Sequence, residues 1–142
     1  MDILIVEARY HPAVSDALVD GATKALQLGG GRFTRVSVPG VLEIPAAIAL
    51  GARSGRFQGY VALGSLLLAG GPQIGLMTQS CFYGLMRLSA DRGLCIGNGI
   101  VVAQTEADAL RMALKEEGDQ GGDAARACLS LVTLASRLAA PV

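Results

Sequence analysis

The chain has 142 residues, 12 Lys+Arg against 12 Asp+Glu, 51% hydrophobic residues and a single histidine, His11. That length suits one domain spanning 1–142, with one compact core. Zero formal charge supplies no global field for nucleic acid or an anionic membrane surface, and one imidazole excludes metal sites that need two, so neither those partners nor a metal is expected.

In chain order, Ile3-Leu4-Ile5-Val6 predicts a first strand, and Pro12 suits the first turn of a helix. Val14, Leu18, Ala22 and Leu26 form one apolar stripe of a helix over 12–28, stopped by Gly29-Gly30-Gly31. Residues 33–38 alternate with period two, the pattern of a half-buried or edge strand, and Pro39-Gly40 ends it. A second helix starts near Pro45 and meets glycine breakers at 51–55. Residues 60–64 read as a fully buried strand at the centre of a parallel sheet. A glycine-rich loop over 69–72 then leads into a helix over about 73–91.

The pattern continues with a strand over 94–102, a helix over 105–115 and a polar loop over 116–122. Asp123 is read as the cap of a last helix whose Ala124, Cys128, Leu131, Ala135 and Leu138 repeat with 4-3-4-3 spacing, a core face. Four strand–helix alternations predict an α/β fold, a three-layer α/β/α sandwich around a mainly parallel four-stranded sheet. Ligands of such sheets sit at the carboxyl ends of the strands, here segments 8–11, 39–44, 65–73 and 99–104.

Only 17% of residues are charged, which suggests that some apolar surface finds a partner. Cys81, Cys95 and Cys128 are odd in number and contain no CxxC, as expected of buried reduced thiols in a cytoplasmic protein. The chain enters its first apolar run at residue 3 without a basic leader region, and its longest apolar stretch, 61–68, falls far short of the ~20 residues of a membrane span.

No GxGxxG or GxxxxGK[ST] is present. Gly70-Gly71, after a buried strand and before a helix, is placed either as an ordinary turn or as an anion cradle of backbone N–H groups. Glu43, between a Pro-Gly turn and Pro45, suits a cap or a dipole-satisfying charge at a helix start, or an acceptor for ligand hydroxyls. His11 carries the side chain suited to proton transfer near neutrality, yet its position predicts a polar turn residue. No Ser-His-Asp or Cys-His pairing follows from spacing. The residues alone lead to a soluble α/β domain with a small-ligand site.

Three segments resemble the lumazine synthase family of riboflavin biosynthesis: Val6-Glu7-Ala8-Arg9-Tyr10, Pro39-Gly40-Val41-Leu42-Glu43-Ile44-Pro45 and Gly97-Asn98-Gly99-Ile100. With Ala62-Leu63-Gly64-Ser65 and Gly121-Gly122-Asp123-Ala124-Ala125, these motifs cover nearly the whole chain. The resemblance implies a flavodoxin-like sheet, assembly into homopentamers or larger shells, and a site between subunits that needs no cofactor or metal. It implies condensation of 5-amino-6-ribitylaminouracil with 3,4-dihydroxy-2-butanone 4-phosphate to 6,7-dimethyl-8-ribityllumazine. Carried over by position, Tyr10 stacks on the pyrimidine, Val41 and Leu42 offer backbone hydrogen bonds, Glu43 accepts from ribityl hydroxyls, and Asn98 and Ile100 line the pocket.

The catalytic segment departs from the family pattern. Where the family continues Ile-Arg-Gly-Glu-Thr-x-His-Phe-Asp, this chain reads Leu67-Leu68-Ala69-Gly70-Gly71-Pro72-Gln73-Ile74-Gly75. Gln73 stands at the position of the proton-transferring histidine, and an amide cannot act as an acid or base near neutrality. The loop arginine falls at Leu68, the Glu-Thr pair at Gly70-Gly71, a phosphate-gripping arginine at Met112 and a lysine at Gln120. From Phe57 to Met86 no residue is charged and none is histidine. Leu67, Leu68, Leu76, Met77, Val101, Val102 and Met112 are expected to add apolar surface, either as a protein interface or as a locally repacked pocket wall. These departures suit a subunit that keeps the family's assembly with weakened or absent catalysis, whether a natural degenerate member or an engineered scaffold that takes a designed partner subunit.

Overall fold

The computed structural model describes residues 1–141. Four parallel strands, β1 (Asp2–Ala8), β2 (Arg32–Val38), β3 (Gly59–Leu67) and β4 (Ile96–Ala103), form one sheet in the order β2-β1-β3-β4. Helices α1 (Pro12–Leu28), α2 (Ile44–Arg53), α3 (Gln73–Arg92), α4 (Glu106–Ala113) and α5 (Gln120–Ala139) join and cover it. Travel across the sheet reverses after β2, and the crossover helices change face there, as a uniform handedness of βαβ units requires. The three-layer α/β/α arrangement is the expected one.

Two apolar layers follow from the two-residue alternation of the strands. Ile3, Ile5, Val61 and Leu63 pack with α1, α4 and α5, whereas Leu4, Val6, Tyr60 and Ala62 pack with α2 and α3. In α1 the stripe Val14, Leu18, Ala22 and Leu26 is wholly buried, and Gly30 (φ +79) takes the left-handed conformation just after the helix stops. β2 lies at the edge and β3 in the interior of the sheet, as its unbroken apolar run implies.

Three sequence expectations fail in detail. The cap of α5 is Asp119, whose side chain accepts from Gly122 N, so the helix starts within the segment read as a loop and Asp123 sits in its first turn. Ala124 and Cys128 are buried, but Leu131, Ala135 and Leu138 are exposed, because the face of α5 that packs on the core continues through Leu129 and Val132. Val101 is fully buried in the core between β4 and the α1 layer and adds nothing to the surface. No described helix is long and apolar enough to cross a membrane.

Candidate active site

The carboxyl ends of β1 and β3 open into a pocket of about 580 Å³. Its floor and walls come from three of the four segments that strand topology singles out: Tyr10 and His11 after β1, Gly40 and Val41 after β2, and 65–73 at the end of β3. Ile74 and Met77 from the first turns of α3 complete the wall. None of the lining side chains is charged.

The polar groups in this wall are few. His11 Nδ1 lies 2.7 Å from the Oγ of Ser65, which is 4% exposed on β3. Pro12 starts α1 immediately after His11, whose backbone carbonyl accepts from Ser15 N, so the imidazole is fixed between the end of a strand and the first turn of a helix. The Tyr10 ring meets the His11 ring edge to face, with centroids 5.0 Å apart, and is 77% exposed at the mouth. Gln73 turns its amide back on the loop, Nε2 donating to the Gly70 carbonyl. Gly71 (φ +118) turns the chain into α3, and its N–H donates to Leu68 O. No cation stands beside this turn in the pocket wall to neutralise a phosphate.

The site residues carried over by position therefore fall into separate groups within one chain. Tyr10, Val41, Gly70 and Gln73 share the pocket. Leu42 and Glu43 lie on an exposed helical turn beside it, where Glu43 makes no side-chain cap bond to α2. Asn98 is exposed on β4, its Oδ1 accepting from Ile100 N, and Ile100 is buried in the layer under α2 and α3. Met112 packs against the opposite layer through α4. Asn98, Ile100 and Met112 are not brought to the pocket of their own chain.

Charge next to the site is concentrated in one buried carboxylate. Glu7, 2% exposed on β1, accepts from Arg35 Nε at 2.6 Å and from Arg9 at 2.7 Å. Burial works to raise its pKa, and the two guanidiniums outweigh burial, so the carboxyl is held below its usual value. Arg9 also pairs with Asp16, so both its contacts are internal. All three cysteines are unpaired and buried, and burial pushes the thiols of Cys81 and Cys128 up to about 11 and about 12. They are inert packing groups.

With the turn motifs placed around the strand ends, comparison with known proteins identifies the family. The model of the 6,7-dimethyl-8-ribityllumazine synthase family matches residues 1–136. The chain belongs to that family. The lumazine synthase of Sphingopyxis alaskensis is 45% identical over 93% of this chain and 93% of its own length. Lumazine synthase 1 of Mesorhizobium japonicum is 42% identical over 97% of this chain and 87% of its own, and that of Rhizobium meliloti 41% over 97% and 94%. Membership ties the fold to riboflavin biosynthesis.

Sequence reasoning missed the His11–Ser65 pair. The two residues are 54 positions apart, and only the parallel pairing of β1 with β3 brings their strand ends together. A usable signal existed: both residues lie in the strand-end segments where ligands of such sheets bind.

Proposed function

We propose that this chain is a lumazine-synthase-fold subunit in which the family condensation is impaired, and which works as a self-assembling cytoplasmic protein. The observation that carries the loss of catalysis is the pocket wall, which offers Gln73 at the position of the family histidine and no charged side chain. The family reaction needs a proton carrier at that position and compensation for a dianionic phosphate. Leu68, Gly70, Gly71 and Met112 supply no cation. What the site retains is an aromatic ring at its mouth and backbone groups near Val41, which can still hold reactants close together.

The test mixes the purified protein with 5-amino-6-ribitylaminouracil and 3,4-dihydroxy-2-butanone 4-phosphate and follows lumazine absorbance and fluorescence. Loss of a positioned acid–base group costs roughly 10²–10⁴-fold, so the expected rate is at least 100-fold below that of the Sphingopyxis alaskensis enzyme measured alongside. Gln73→His alone is expected to restore little, because the phosphate partners stay absent. Turnover comparable to the reference enzyme would overturn the reading.

Assembly is supported by α3, a helix of 20 residues of which only Cys81 and Leu85 are fully buried within the chain. Leu76, Tyr83 and Met86 stand exposed on it. Such a surface favours a homo-oligomer, in keeping with the pentamers that the family resemblance implies.

A further inference from the structure

We infer that the pocket has become a binding site for an uncharged, largely apolar small molecule that carries one hydrogen-bonding group, with His11 as its polar anchor. This rests on the reading of the pocket as one without phosphate compensation, and it goes further by assigning a ligand class. The argument starts from the wall. Leu66, Leu67, Ile74 and Met77 line the pocket, and its polar lining residues are His11, Ser65, Gln73 and Tyr10, with no carboxylate, guanidinium or ammonium among them. Moving a dianion from water into such a wall leaves its charge uncompensated, whereas an apolar body gains from each contact.

The polar anchor is specific. Ser65 is buried and has its hydroxyl committed to His11 Nδ1. That bond holds the ring through Nδ1, and Nε2 has no hydrogen-bond partner among the described residues. Gln73 is less suited to the role, since its Nε2 already donates to Gly70 O. A pocket with one oriented imidazole and a mostly apolar, uncharged wall selects a ligand that places a hydroxyl or ring nitrogen at His11 and hydrocarbon against Ile74 and Met77 of α3.

The test uses a matched pair of probes, benzyl alcohol and benzyl phosphate, which share the apolar body and differ in the phosphate. Because His11 is the only histidine, its imidazole resonances report on the pocket without assignment of the rest of the chain. Benzyl alcohol is expected to shift those signals saturably, with benzyl phosphate binding at least tenfold more weakly. Ser65→Ala should weaken the alcohol severalfold by releasing the ring, and Met77→Lys should reverse the preference toward the phosphate by placing a cation on the wall. Equal or tighter binding of benzyl phosphate by the unaltered protein, or alcohol binding that leaves the His11 signals unmoved, would overturn the assignment. Neither probe is a substrate of the family condensation. Failure here therefore leaves the catalytic reading standing, and lumazine turnover at a relative's rate would sink that reading by itself.

Discussion

Glu7 shows how a single carboxylate can be buried at the end of a strand and still be ionised. Its two guanidinium partners come from different places, Arg9 two residues on and Arg35 from the neighbouring edge strand, so the carboxylate ties β2 to the sheet beside the pocket. Its pKa is lowered in the folded chain, so its contribution is present above the ordinary glutamate range and is lost as pH falls through the folded value. Glu7→Gln keeps the shape and removes the charge. At pH 7 it is expected to cost about 1–2 kcal/mol, the lower range for charge-assisted hydrogen bonds, because both arginines keep contact with water. Denaturant melts of both proteins between pH 7 and 3 should show the difference shrinking below roughly pH 4. A difference that stays constant or grows on acidification would show that the carboxylate is not ionised in the folded chain.

At the scale of elements, legibility depended on whether a segment's environment is set by its neighbours in sequence. α1 was fully legible because four apolar residues at every fourth position leave one face to bury. β3 was legible because an unbroken apolar run fits only the middle of a parallel sheet. α5 was half legible: Ala124 and Cys128 of its 4-3-4-3 pattern are buried, but the packed face goes on through Leu129 and Val132, and apolar residues on both faces give no local signal for that choice. Its start was misplaced because Asp119 adopts the left-handed conformation (φ 47), which joins the turn over 115–118 to the helix and puts its carboxylate on Gly122 N and Arg126. Asp119→Ala is therefore expected to cost about 2 kcal/mol, from a lost cap and a strained backbone, while Asp119→Asn, which tolerates that conformation and still caps, should cost under half as much. Thermal denaturation of the two variants decides it, and equal losses would refute the cap. The candidate site was legible as strand-end segments and as family motifs. The His11–Ser65 pair was not, because it depends on the alignment of two strands and carries no spacing signature.

The whole molecule leaves apolar area that its own fold does not use. Leu76, Tyr83 and Met86 are 68%, 63% and 63% exposed, and their spacing of seven and three places them along one side of α3. A second set, Leu131, Leu134 and Leu138, lies on the outer half of α5. Arg87 lies over the Tyr83 ring, yet most of this apolar area stays open, and such patches commonly mark a contact with another surface. α3 is the stronger candidate for a contact between copies, since it buries so little within its own chain that its outer side needs another surface. Sedimentation velocity at micromolar concentration should give a species several times the 14.6 kDa chain mass. The double change Leu76→Glu and Tyr83→Glu should dissociate it while circular dichroism stays native, because a carboxylate set into an apolar contact is desolvated without a cation partner and neither side chain belongs to the core. A monomer in the unaltered protein would remove the assembly reading. An undiminished oligomer in the double variant would move the contact to another face, with α5 next in line.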